Sequence, residues 1–280
     1  MSKLFSPLRI GQLELAHRLV TTVRAGQLLD AAGYRERATP GGLVITDAVV
    51  DTAELDRWRW ITDAIHDGGG IAVALVTPRD AGQRPADVVI DRVMDECHDA
   101  AQLARAAGFD GVELDASVGS LADAFLQPQL NTRADDYGGD AERRMTFLLE
   151  AAQVVADEWS SERVGTRLSP CAREGQTALF AGVMRALSER ELAYVHLANP
   201  GAPSVPVCHP LSIATAASRR AFRSDLSCAL IVTDQVELDV AAAATGSRWA
   251  DAIGFLQAND DARFIKDLLC RERARQPVLT

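Results

Sequence analysis

Lysine is nearly missing from this chain: Lys3 and Lys266 stand alone, so arginine supplies almost all of the 29 basic residues. With abundant alanine, this reads as the codon bias of a GC-rich bacterial genome rather than as arginine-specific chemistry. Cysteine is sparse and badly spaced for a structural role. Cys97, Cys171, Cys208, Cys228 and Cys270 are odd in number, scattered and never in a CxxC pair, which argues against a disulfide framework or a structural zinc site and fits a reducing compartment. No run approaches the roughly 20 apolar residues of a membrane span, and the opening MSKLFSPLRIG has no apolar secretion-signal core. A soluble, cytoplasmic protein without a membrane partner is expected. Basic charge is also outweighed: 39 acidic residues leave a net charge of −10, which repels phosphate backbones and anionic lipid. No nucleic acid is expected as a partner; a small-molecule substrate is, and a homo-oligomer stays open.

What is present is a regular alternation. Short Val, Ile and Leu runs occur at Arg18–Val23, Gly42–Val49, Ile71–Thr77, Gly111–Ala116, Val164–Ser169, Tyr194–Leu197, Ala229–Thr233 and Asp251–Phe255. Stretches with helical periodicity lie between or after them, at Trp58–Asp67, Pro85–Ala107, Ala141–Trp159, Gln176–Leu187, Ile213–Arg220, Glu237–Thr245 and Asp260–Arg273. Eight buried strands alternating with helices over 280 residues predict one α/β domain spanning residues 1–280, a (β/α)8 TIM barrel. A doubly wound open sheet is the alternative, but no G-x-G-x-x-G follows the first strand.

In such a barrel the chemistry gathers at the C-terminal strand ends. The polar residues there are Arg24, Asp47, Thr77, Arg79, Glu113, Asp115, Arg167, His196 and Asp234. Glu113 and Asp115 are two apart on one strand and share a face. They form either a proton-transfer or carbonyl-polarising pair, or part of a buried ion network. His196, within the apolar run YVHL, is either a satisfied core histidine or a base, and Asp234 could be a helix N-cap. No metal-ligand spacing singles out a cation site.

Several segments, LFSPLRIG at Leu4–Gly11, HRLV at His17–Val20, YRERATPGGLVITDA at Tyr34–Ala48, GFDGVE at Gly108–Glu113, NTRADDYGGDAERR at Asn131–Arg144 and RVGTRLSP at Arg163–Pro170, resemble the Old Yellow Enzyme family of FMN-dependent ene-reductases from end to end. The resemblance implies a (β/α)8 barrel and matches Arg167 to the arginine that stabilises charge on reduced flavin. Other functional positions depart from the family. The phosphate-binding Gly-Gly matches Asp234 and Gln235, and the Gly-Arg clamp matches Leu256 and Gln257. The flavin-contacting glutamine matches Ala74 and the neighbouring large group Val76. The carbonyl-holding pair matches Asp115 and Val118, the proton-donating tyrosine Ser120, and the run after the first strand reads Thr22-Val23-Arg24-Ala25.

These departures predict a chain with no cofactor: a flavin-free, non-redox enzyme, an isomerase, cyclase or lyase acting on an unsaturated carbonyl or polyketide-like molecule in bacterial secondary metabolism. Asp115, Arg167 and Glu113 are then the expected catalytic residues, and Arg24, Ala74, Val76, Val118, His196 and Asp234 the expected substrate-binding ones. An FMN-dependent NAD(P)H ene-reductase and an inactive binding partner are the alternatives.

Overall fold

A computed structural model describes residues 2–23, 29–49, 52–78, 83–170, 176–198, 222–224, 226–255 and 261–275. Two three-residue strands, β1 (Leu8–Ile10) and β2 (Leu13–Leu15), form an antiparallel hairpin. Eight parallel strands then close into a barrel: β3 (Leu19–Thr22), β4 (Leu43–Val49), β5 (Ile71–Val76), β6 (Gly111–Ala116), β7 (Val164–Leu168), β8 (Tyr194–Ala198), β9 (Ala229–Asp234) and β10 (Ala252–Phe255). β10 pairs with both β9 and β3, so the barrel itself has no open edge. The eight strands agree with the sequence reading to within a residue or two at each end.

The helices are α1 (Ala31–Arg37), α2 (Leu55–Asp67), α3 (Ile90–Ala106), α4 (Leu121–Leu126), α5 (Ala141–Trp159), α6 (Gln176–Ser188), α7 (Leu238–Gly246) and α8 (Phe264–Ala274). The expected helix at Ile213–Arg220 lies outside the described residues. The one expected at Pro85–Ala107 is two elements: Pro85 opens a single 3-10 turn through Asp87, and extended Val88 and Val89 separate it from α3. Helices α1 and α4 and the hairpin are additions. Asp30 caps α1, its side chain accepting from the Gly33 amide, and Ser120 caps α4 by accepting from the Asp123 amide at 3.1 Å. No helix among the described residues is long and apolar enough to cross a membrane.

Alternation along the strands divides the core in two. Outward residues such as Val44, Ala72, Val112, Leu114, Val195 and Val232 pack with the helices. Inward residues Val20, Leu43, Ile45, Val73, Tyr194, Ile231 and Ala252 form a separate cluster, which Ile10, Leu13 and Leu15 of the hairpin complete. The hairpin therefore plugs the barrel floor, beneath the level at which Glu113, Arg167 and His196 face inward.

Candidate functional site

The same alternation that puts Val112, Leu114 and Ala116 against the helices turns Glu113 and Asp115 into the barrel. In the parallel register Asp115 pairs with Arg167, and Arg167 with His196, so three adjacent strands deliver these side chains to one level. Glu113 is wholly buried and accepts from Arg167 Nε at 2.5 Å through Oε1. His196 Nδ1 lies 3.0 Å from Glu113 Oε2, and Nε2 lies 2.8 Å from the Thr233 hydroxyl on β9. Burial, outweighing the pull of Glu113, lowers the His196 pKa, so the neutral ring donates from Nδ1 to the carboxylate and accepts from Thr233 at Nε2. Burial works against ionisation of Glu113, yet Arg167 and His196 more than offset it and hold its carboxyl at about 2. Burial likewise opposes the Arg167 charge, and the Glu113 and Asp115 carboxylates reverse that effect.

Glycines make room for this network at two points. A Cβ on Gly165 would sit 2.2 Å from Tyr194 Cζ, and one on Gly254 would sit 2.1 Å from Thr233 Oγ1. The Tyr194 ring belongs to the floor cluster. Burial, then the Glu113 charge above it, push its phenol well above the ordinary range.

Towards the mouth, half-buried Asp115 accepts from the Ser117 amide (3.0 Å) and hydroxyl (2.5 Å) and from Thr77 Oγ1 (3.3 Å). Arg167 is nine-tenths buried, and its Nη2 finds no hydrogen-bond partner among the described residues. A buried guanidinium nitrogen without an acceptor is costly unless something supplies one.

Beside the mouth a cavity of about 550 Å³ is lined by Pro85, Ala86, Val118, Ser120, Asp123 and Leu130, among others. Its walls are braced by the segment Asn131–Arg144. Asn131 donates to the Phe125 and Tyr137 carbonyls at 2.8 and 2.7 Å. Arg133 donates to the Pro85 and Val88 carbonyls at 2.7 and 3.0 Å while pairing with Asp135. The stacked rings of Phe125 and Phe147 anchor α4 on α5.

Asp115, Arg167, Glu113 and His196 thus come together, and Val118 lines the adjoining cavity. His196 is fully buried with both ring nitrogens bonded, which makes it an internal partner of Glu113 and not a substrate-facing group. Ala74 and Val76 must be corrected: they pack with the helix-facing cluster, while Val73 and Thr77 carry the inward face of β5. A one-residue slip in the sequence match reverses every side chain of a strand. Asp234 follows inward Thr233 and so lies on the other face, where Oδ1 accepts from the Gln235 amide. It is not the cap of α7, because Glu237 holds that position. Arg24 and Arg79, and the matched phosphate-clamp positions Leu256 and Gln257, lie outside the described residues. Thr233 was missed by sequence reasoning, although the alternation of β9 marks it as inward once Ile231 is inward. Among the described residues no group of three or more His, Cys, Asp or Glu side chains could hold a metal ion.

Residues 86–206 match the NADH:flavin oxidoreductase / NADH oxidase family. An NADP-dependent oxidoreductase of Aspergillus flavus is 30% identical over 71% of this chain and 69% of its own length. 12-Oxophytodienoate reductase 2 of Arabidopsis thaliana is 29% identical over 79% and 76%. Among solved structures, morphinone reductase superposes with a TM-score of 0.77 at 25% identity, covering 91% of this chain and 85% of that one. The old yellow enzyme homologue of Zymomonas mobilis gives 0.78 at 24%, over 94% and 92%, a likeness of fold. These matches overturn the expectation of a chain without a cofactor, because the matched family is one of flavin oxidoreductases and points to FMN. Of the readings left open by the sequence, the FMN-dependent reductase is the one they support.

Proposed function

We propose, from the premise that this chain belongs to the Old Yellow Enzyme family of NADH:flavin oxidoreductases, that it is an FMN-dependent enzyme using a nicotinamide nucleotide to reduce the activated C=C bond of an unsaturated carbonyl compound. The observation that carries this reading is the unpartnered, buried Nη2 of Arg167. Its fixed positive charge and free donor fit the electron-rich edge of a flavin ring. When bound, FMN supplies the hydride carrier that no side chain can replace.

The chain's own residues then divide the remaining work. Arg167 would hold the ring edge through Nη2 and stabilise negative charge that develops there. Glu113 accepts from Nε and keeps the guanidinium planar face fixed. Asp115, with donors already on both oxygens, is an acceptor at the mouth, and it favours a substrate that presents a hydroxyl or amine beside its reducible bond. The adjoining cavity, with Pro85, Ala86, Val118 and Leu130 in its lining, suits the apolar body of a small molecule.

The test is to titrate purified protein with FMN and then add NADPH and a cyclic enone. Saturable binding with a flavin spectrum and enone-dependent NADPH oxidation are expected, with Arg167→Met losing both. Protein that stays colourless in excess FMN overturns the reading.

A further inference from the structure

We propose that His196, itself fixed by Thr233, is the positioning residue that locks Glu113 onto Arg167 Nε and so aims the free Arg167 Nη2 at the barrel mouth. Five consecutive strands contribute. Gly254 of β10 leaves the space that the Thr233 hydroxyl of β9 fills. Thr233 holds Nε2 of His196 on β8, whose Nδ1 meets Glu113 of β6, and Glu113 holds Arg167 of β7. Each joint has one geometrically determined role. A neutral imidazole can donate at only one nitrogen, and with Thr233 donating to Nε2 the donor must be Nδ1.

That donor lies 3.0 Å from Oε2 and 3.2 Å from Oε1, and it holds the carboxylate with Oε1 turned to Arg167 Nε. The guanidinium is a rigid plane, and fixing Nε fixes where Nη2 points. Without His196, Glu113 Oε2 would be left in the barrel without this donor, and the carboxylate could turn both oxygens onto the guanidinium fork. Nη2 would then be taken from the mouth. His196 touches neither mouth nor cavity, being wholly buried, so its influence on any ligand passes through Glu113 and Arg167.

The consequence for the cofactor rests on the FMN reading above, but the geometric claim does not, and the experiment separates them. Protein labelled with 15N-arginine is compared as parent, His196→Asn, His196→Leu and Thr233→Val, with the Arg167 Nε–H resonance identified by its loss in Arg167→Lys. The side-chain amide of asparagine reaches about as far as histidine Nδ1. His196→Asn therefore keeps the donor to Glu113 and serves as the conservative rescue should His196→Leu fail to fold.

In cofactor-free protein the parent and His196→Asn should share a slowly exchanging Arg167 Nε–H resonance. His196→Leu should shift it and speed its exchange, with Thr233→Val between them. FMN affinity should follow the same order, weakening about tenfold in His196→Leu, the size of losing one hydrogen bond to a charged group. Should the parent fail to bind FMN while the resonances behave as described, the cofactor reading falls and the positioning role stands. An Arg167 resonance that is unmoved in folded His196→Leu and Thr233→Val overturns the positioning role, whatever FMN does.

Discussion

The floor and the upper layer of this barrel are built on the same strands and solve opposite problems. The floor is closed by hydrocarbon: Leu13 and Leu15 of the hairpin gather with Val20, Leu43, Val73 and Ile231, and these side chains need no partner beyond contact. The upper layer carries Glu113, Arg167, His196 and Thr233, each buried and each costly unless bonded. Floor residues can be exchanged for others of similar volume, whereas upper-layer residues depend on one another by name. The sharpest way to break the contrast is Glu113→Ala, which leaves Arg167 buried without its counter-ion. A loss of about 3–5 kcal/mol is expected, read by urea unfolding. In Leu13→Met the floor should lose under about 1.5 kcal/mol. Equal losses would mean that the two layers are not different in kind.

Two histidines, His17 and His196, are buried, and pH distinguishes them from the rest of the core. His17, two residues before β3, accepts from the Leu19 amide at Nδ1 and meets the Thr39 hydroxyl at Nε2. Burial, against the pull of the Leu19 bond and with Arg273 adding to it, lowers its pKa to about 4. The unfolded chain therefore binds a proton that the folded one refuses. The His17 contribution is complete above about pH 6.5 and is lost as pH falls towards 4, by an amount on the order of 3 kcal/mol. Glu113, held at about 2, loses its own contribution only at lower pH, below its ordinary carboxylate range. Unfolding free energy followed from pH 7 to 3 should fall in the parent and fall less in His17→Gln above pH 4. Parallel curves would remove His17 from the account.

Tyr194 is where the layers meet, its ring in the floor cluster and its hydroxyl beneath Glu113. Gly165→Ala tests that boundary, because the added methyl carbon would lie 2.2 Å from Tyr194 Cζ. A loss of about 1–3 kcal/mol is expected from the forced shift, with near-ultraviolet dichroism reporting the displaced ring. An unchanged spectrum and stability would mean that the ring has room to move aside.

Much of this is legible in the sequence. Eight apolar runs at regular spacing announce a barrel, and the two-residue step from Glu113 to Asp115 announces a shared face. What was not legible follows from the physics of short elements and of alternation. The hairpin strands are three residues each, too short to show a period, and α1 and α4 are short helices defined by their caps, Asp30 and Ser120, more than by a stripe. On β5 the residues Ile71 to Val76 are all apolar, so composition cannot say which alternate ones face inward. Only the Thr77 bond to Asp115 and the clusters around Val73 and Ala74 decide it. The assignment of no cofactor failed for a related reason. Loss of familiar side chains at matched positions is not loss of the site, and the feature that speaks for an anionic or electron-rich partner, Arg167 Nη2 without a hydrogen-bond partner among the described residues, is invisible in a string of letters.

The smallest effect belongs to the rim. Ser120, matched by the resemblance to a proton-donating tyrosine, has its oxygen turned to the Asp123 amide, where it caps α4. A cap of this kind contributes about 1 kcal/mol, and α4 forms one wall of the cavity through Asp123 and Ala124. Ser120→Ala should therefore cost about 1 kcal/mol of stability, because Asp123 N loses its acceptor. Ser120→Asp, which keeps an N-cap acceptor but can give no hydroxyl proton, should recover most of it. If Ser120 acted instead as the proton donor, both variants would lose turnover alike while only the alanine lost stability. Measuring unfolding and enone reduction on the same two proteins separates those roles: equal turnover in parent and both variants leaves Ser120 as a cap alone.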